Sequence, residues 1–213
     1  MPKQNTRERA WEAIEPFVAE WRARTKDDNA AFRDWAVQQV LWDEELSTDE
    51  VQRATAVDGK DDLGIDAWHL ATESTPNVLY LVQSKNTKAV VADLDKLLGG
   101  LHDLFHETAS IRANEELKLR ADEFQQSAAD PFRVEFHVVS SEIVTASVRT
   151  HAARLSEKPI NLFERDVECS FMIHDVADLS ESLRVSDSTS TDVTFEIDRN
   201  QLFQFSTALD VHT

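Results

Sequence analysis

The stretch from Asp58 to Asn86, DGKDDLGIDAWHLATESTPNVLYLVQSKN, limits the fold more than any other part of the chain. Two short apolar runs, Ile65 to Ala71 and Val78 to Val82, flank Ser74-Thr75-Pro76-Asn77. Ser, Pro and Asn favour turns, so the stretch reads as a β-hairpin. A turn symmetric about Thr75 and Pro76 sets Asp66 opposite Lys85 and Trp68 opposite Gln83. Side chains alternate along a strand, so Gln83 and Lys85 share a face. Directly opposed residues have Cβ atoms about 5 Å apart. A carboxylate, an amide and an ammonium therefore meet at one end of the hairpin. A register slip of one residue would scatter them.

Two readings of this trio stand side by side. In one, Asp66 and Lys85 form a cross-strand ion pair with Gln83 as a solvated neighbour, a common surface arrangement. In the other, the carboxylate and nearby carbonyl oxygens hold a hard divalent cation such as Mg²⁺, which keeps several waters. Such a cation polarises a phosphoryl oxygen and acidifies bound water. A neighbouring lysine orients or deprotonates that water and offsets charge in the transition state.

Gly64-Ile65-Asp66, a hairpin, then Gln83-Ser84-Lys85 resembles the PD-(D/E)XK nuclease superfamily in its QxK, Mrr-like form. With Asp58-Gly59 and Asp62 ahead, the string is most similar to the N-terminal nuclease-like region of AIPR (abortive phage infection) proteins. The specific part covers residues 31 to 85, and a weaker likeness of pattern continues to about residue 185. The resemblance implies a restriction-endonuclease-like α/β core, a mixed β-sheet flanked by helices, with an N-terminal helical segment. It implies that Asp66 binds the metal, Gln83 replaces the usual second acid, and Lys85 is the catalytic lysine. The main-chain carbonyl of Ser84 would complete the metal shell. The implied cofactor is Mg²⁺ or Mn²⁺, and the implied activity is endonucleolytic cleavage of DNA in defence against phage or other foreign DNA.

Related nucleases often take a further acid from the helix before the hairpin. In Mrr-like sequences it commonly follows a Phe, and here that position is Arg33. The substitutes are Asp34, one place on, and Glu44 or Glu45 beyond the helix; Asp34 reads equally as a solvated helix residue, and Glu44 and Glu45 read rather as surface charges. Asp62 is either a further metal contact or part of an acidic turn with Asp58 and Asp61. Lys88 either touches a phosphate or is merely solvated. His102 and His106 share a helical face, but no third zinc ligand is evident, so they read as surface histidines. His69 lies on the strand face opposite Asp66 and reads as a sheet residue.

Charge argues against contact with nucleic acid. The chain has 22 Lys and Arg against 40 Asp and Glu, a net charge of −18, whereas phosphate binding normally needs a basic face. Acid on distant faces, a saline setting, a downstream region or partner that brings basic surface, or a chain that does not touch nucleic acid would each reconcile this. Arg33 at the usual acidic position also favours a non-catalytic module that binds nucleic acid or a defence partner. The expected partners are DNA, a defence-system protein or downstream domain, and a second copy of the chain. No apolar run approaches the roughly 20 residues of a membrane span, and MPKQNTRERAWEA lacks an apolar signal core. The single Cys169 rules out an internal disulfide framework. A cytoplasmic location is expected.

The remaining pattern is α/β. Residues 7–23 carry Trp11, Ile14, Phe17, Val18 and Trp21 at helical spacing despite Pro16. Asp27-Asp28-Asn29 offers N-caps for a second helix with Phe32, Trp35, Ala36, Val40 and Leu41 as its stripe. Ser47-Thr48-Asp49-Glu50 fits a capping box. After Lys85, an apolar stripe from Val90 to Phe105 predicts a long helix, with more helix over 111–126. Strands are predicted at 133–139 and 167–173, and helices at 143–155 and 176–183. This succession implies a sheet with crossover helices. A nuclease-like domain over 1–185, a linker at 186–192 (SDSTSTD) and the start of a following region at 193–213 complete the reading.

Overall fold

Two alternating apolar strands and two apolar β-runs form the four-stranded mixed sheet at the centre of this computed structural model. The structure describes residues 6–73, 75–105, 113–127 and 130–189. Two helices come first, α1 (Thr6–Arg22) and α2 (Asp28–Val40), then α3 (Thr48–Ala54). The hairpin is β1 (Ala67–Ala71) and β2 (Asn77–Lys85), followed by α4 (Val91–Leu104) and α5 (Glu115–Ser127). Next come β3 (Phe132–Ser140), α6 (Ala146–Ser156), a small hairpin of β4 (Ile160–Leu162) and β5 (Arg165–Val167), β6 (Cys169–His174) and α7 (Val176–Thr189). Strand order is β1-β2-β3-β6. β1 and β2 are antiparallel, while β2–β3 and β3–β6 are parallel. Helices make both parallel crossovers, as parallel strands require.

Local chemistry explains the helix limits. Pro16 lies inside α1, which is nevertheless one helix and buries Ala10, Ile14, Val18 and Trp21. The Asp27 side chain caps α2 by accepting from the Ala30 N–H at 2.8 Å. Ser47 and Glu50 form the reciprocal capping box of α3. One face of the sheet carries Leu79, Leu81, Val134, Phe136 and Phe171 into a core with Leu94, Leu97 and Leu101 of α4, Phe124 of α5 and Val148 of α6. Phe136 and Phe171, opposed across β3 and β6, stack with centroids 4.3 Å apart. The opposite side of β2 is covered by α2, on which α1 packs.

The observed register differs from the symmetric one. Ala67 pairs with Val82 and Trp68 with Leu81, so each partner lies two residues earlier on β2 than expected. A slip of two keeps every side chain on its own face, whereas a slip of one would not. The β4–β5 hairpin was not predicted. Its turn residues, Phe163 and Glu164, both have positive φ, as a type I′ hairpin turn requires. They are not the Asn-Gly type that signals such a turn in sequence.

The body of the chain ends at Glu181, and a second unit begins at Ser182. α7 runs to Thr189, so its last four residues overlap the linker expected at 186–192. The following region expected at 193–213, His106 and the first residues of the 111–126 helix lie outside the described residues. Among the described residues, no helix is long and apolar enough to cross a membrane.

Candidate functional site

The polypeptide between Val57 and β1 forms the site because it is a folded loop with unusual backbone angles. Gly59 and Gly64 have positive φ, and so do Asp61 (63°) and Leu63 (57°). Left-handed backbone at a residue with a β-carbon costs roughly 1–3 kcal/mol and persists only where surroundings impose it. Here those surroundings are specific. Asn114 donates its backbone N–H to the Asp61 carbonyl and its amide to the Val57 carbonyl, at 3.0 and 2.7 Å. Helix α4 crosses the loop at Gly100, where a β-carbon would lie 2.2 Å from the Leu63 carbonyl oxygen. Asp62 closes a local turn by accepting from the Gly64 N–H at 2.6 Å.

This loop gathers carboxylates. One oxygen each from Asp58, Asp62 and Asp66 lies within 4.8 Å of the others. Oxygens on a shared small divalent cation sit about 2.1 Å from it, hence at most about 4.2 Å apart. Asp66 continues into the hairpin, its N–H donating to the Val82 carbonyl at 2.8 Å. Its Oδ2 accepts from the Ser84 main-chain N–H at 2.7 Å and faces the Ser84 hydroxyl at 3.3 Å. N–H and C=O of one strand residue point to the same edge, so the Ser84 carbonyl also faces the Asp66 side. Burial, reinforced by Asp58 and Asp62, pushes the Asp66 carboxyl up to about 6. The Ser84 hydrogen bond and Lys85 act in the opposite direction.

Asp66, Gln83, Ser84 and Lys85 line one cleft of about 500 Å³ with Asp58 and Asp62. Gln83 is 1 % exposed, and its Oε1 is buried without a hydrogen-bond partner. An orphaned acceptor beside three carboxylates suits a metal ion or its bound water, since leaving it bare costs roughly 1–3 kcal/mol. Lys85 reaches Asp93, near the start of α4, with Nζ 3.4 Å from Oδ1. Lys96, from the same helix, stands 3.9 Å from the Asp62 carboxylate. Cationic Lys26, Arg33, Lys85 and Lys96 face carboxylates Asp27, Asp58, Asp62 and Asp66 around the cleft. The cleft is therefore charge-balanced in a chain of net charge −18.

The structure does not bring the other proposed acids to this group. Asp34 is 3 % exposed and takes two hydrogen bonds from Arg33, with Thr55 also against it. Burial pushes its carboxyl up, and Arg33 opposes the shift. Glu44 accepts from the Tyr80 hydroxyl at 2.8 Å and faces His69 at 3.8 Å. Glu45 is exposed and lines a shallow groove with Trp42 and Leu46. The reason is geometric: the cleft takes the N-terminal end of α2, at Asn29, Ala30 and Arg33, whereas Glu44 and Glu45 follow its C-terminal end. Lys88 is exposed on the loop beyond Thr87, which does line the cleft. His69 stacks on Tyr80 on the far face of the sheet.

Sequence reasoning missed two participants. The sequence marks Asp58 only as part of an acidic turn, yet it joins the carboxylate group. Arg33 was read as a departure from a pattern, yet its guanidinium binds both Asp34 and Asp58. The Asp-Gly pair at 58–59 signalled a turn, but the contact with a helix 25 residues away left no local trace. A comparison with protein-family models, curated proteins and solved structures gave no match.

Proposed function

We propose that the chain carries a metal-dependent phosphodiesterase site that hydrolyses DNA. The observation that carries this reading is the orphaned Gln83 Oε1 in the same cleft as three converging carboxylates and a lysine. The likeness of Gly64-Ile65-Asp66 and Gln83-Ser84-Lys85 to Mrr-like nucleases supports it, and gives defence against foreign DNA as its setting. Asp66, Asp62 and the Ser84 carbonyl would hold Mg²⁺ or Mn²⁺. When bound, the cation supplies a Lewis acid for a phosphoryl oxygen and a more acidic water.

The protein's own residues supply the rest. Ser84 fixes the orientation of the Asp66 carboxylate through its N–H. Gln83 Oε1 would accept a hydrogen bond from the attacking water and so aim its lone pair at phosphorus. Lys85, held by Asp93, offsets charge on the phosphoryl oxygens as the bond to water forms. With the cleft's own charges balanced, a divalent cation leaves a surplus of positive charge, and a polyanion satisfies it.

Cleavage assays on plasmid and single-stranded DNA, with and without Mg²⁺ or Mn²⁺ and across a range of salt, test the reading. Metal-dependent cleavage is expected from the wild type, with none from Asp66→Ala or Lys85→Ala. Equal cleavage by all three would expose a contaminating nuclease and remove the proposal's support. A second reading is a module that binds nucleic acid or a defence partner without cleaving it. The cation of Arg33 already on Asp58 favours it, and binding without cleavage at every metal tested would select it.

A further inference from the structure

We infer that Asp58 is a metal ligand of this chain and that Arg33 is the residue that positions it, in place of an acid borne directly on α2. The inference rests on the metal-dependent reading above and goes beyond it by assigning a loop carboxylate and its holder. The helix position that would present an acid to the cleft carries Arg33, whose side chain is 12 % exposed. Its guanidinium forks. Nε and Nη2 both donate to Asp34 Oδ1, at 2.7 and 2.6 Å, and Nη1 donates to Asp58 Oδ2.

The two ends of this fork differ in kind. Asp34, on α2 itself, is buried, where an unpaired charge would be costly, and it anchors the guanidinium. Asp58 lies in the cleft wall, and one of its oxygens belongs to the group shared with Asp62 and Asp66. Planar guanidinium geometry suits holding two carboxylates at once; an ammonium is a point charge without that fork. With Asp58 Oδ2 held by Arg33, the carboxylate cannot rotate freely, and Oδ1 would be the oxygen offered to a cation. The buried, unpartnered Gln83 Oε1 is an independent sign that the cleft takes a ligand. Carboxylates that bind metals are themselves commonly hydrogen-bonded, and removing such support typically costs 10–100-fold in metal affinity.

The test is calorimetric titration of metal-stripped protein with Mn²⁺, together with melting of each metal-free variant. Asp66→Asn should abolish or strongly weaken binding. Asp58→Asn should weaken it at least tenfold without lowering the melting temperature of the metal-free protein. Asp34→Asn alone keeps a side-chain oxygen for the Arg33 guanidinium, so it should leave affinity within about threefold of wild type. The double variant R33Q/D34N removes the buried pair together, so it leaves no lone charge in the interior, and it should weaken Mn²⁺ about tenfold or more through loss of aim on Asp58. Wild-type affinity in Asp58→Asn, beside loss in Asp66→Asn, would overturn this inference while leaving the phosphodiesterase reading intact. Asp34→Asn weakening binding as much as Asp58→Asn would overturn it too, by making the helix acid the ligand. Unchanged affinity in a folded R33Q/D34N would remove the role given to Arg33. Absence of Mn²⁺ uptake by the wild type would bring down both readings together.

Discussion

The Ser84 main-chain N–H donates to the Asp66 carboxylate at 2.7 Å, across the open end of the hairpin. That bond fixes the side chain on which the proposed chemistry turns. Burial, with Asp58 and Asp62 nearby, weakens the acidity of that carboxyl, and the Ser84 bond acts against the shift.

Asp66→Asn should therefore stabilise the metal-free protein while destroying its metal binding. The folded carboxyl titrates near 6 against an ordinary value of 3.8. A raised carboxylate binds protons more tightly in the folded state, so its cost to stability appears as pH rises from about 4 to 6 and is full at pH 7. Asn keeps an acceptor for Ser84 and removes that cost, on the order of 3 kcal/mol. Urea denaturation in EDTA at pH 7 checks this. A lower midpoint for the variant would mean that the carboxylate is not under strain.

Lys85→Met should separate chemistry from architecture. Its ion pair with Asp93 is partly exposed, and such pairs contribute less than about 1 kcal/mol. Mn²⁺ affinity and melting should change little, while the cleavage rate falls by a factor on the order of 10² or more. A rate within threefold of wild type would assign Lys85 to structure only.

Adjacent glycines on α4 should respond with opposite signs. A β-carbon at Gly99 meets nothing within 4 Å, so Gly99→Ala should stabilise by about 0.5–1 kcal/mol through helix propensity. A β-carbon at Gly100 would collide with the Leu63 carbonyl, so Gly100→Ala should cost about 2 kcal/mol or more. Because Leu63 belongs to the site loop, Gly100→Ala should also weaken Mn²⁺ binding. Equal denaturation midpoints for the two variants would show that α4 does not press on that loop.

His174 gives the protein a separate sensitivity to acid. Its ring meets that of His137, with Nε2 3.1 Å from His137 Nδ1 and the planes 3° apart. Burial, then the neighbouring His137, lowers His174 to about 4, with Asp178 opposing and Arg149 adding to the shift. A histidine held neutral in the fold takes up its proton more readily when unfolded. Its contribution is thus full above pH 6.5 and is lost as pH falls toward 4. From pH 7 to pH 5 the loss is about 2 kcal/mol. His174→Gln should lose less stability over that interval than wild type, measured by denaturant midpoints at both values. An identical loss in both proteins would place the acid sensitivity elsewhere.

Much of this was legible in the chain because it depends on neighbours in sequence. Apolar spacing marked α1, α2, α4 and β3, and Ser47 with Glu50 marked the start of α3. Parity along a strand put Gln83 and Lys85 on one face, and the actual register, two residues from the symmetric one, left that parity intact. The β4–β5 hairpin escaped notice because its positive-φ turn uses Phe163 and Glu164 rather than glycine or asparagine. Only the folded chain determined that Asp58 joins Asp62 and Asp66, that Arg33 spans to it from α2, and that Asp34 is buried away from the cleft. Periodicity records which side of an element faces the core. It carries no information on which loop carboxylate a helix 25 residues away will meet, because that distance is set by packing of whole elements.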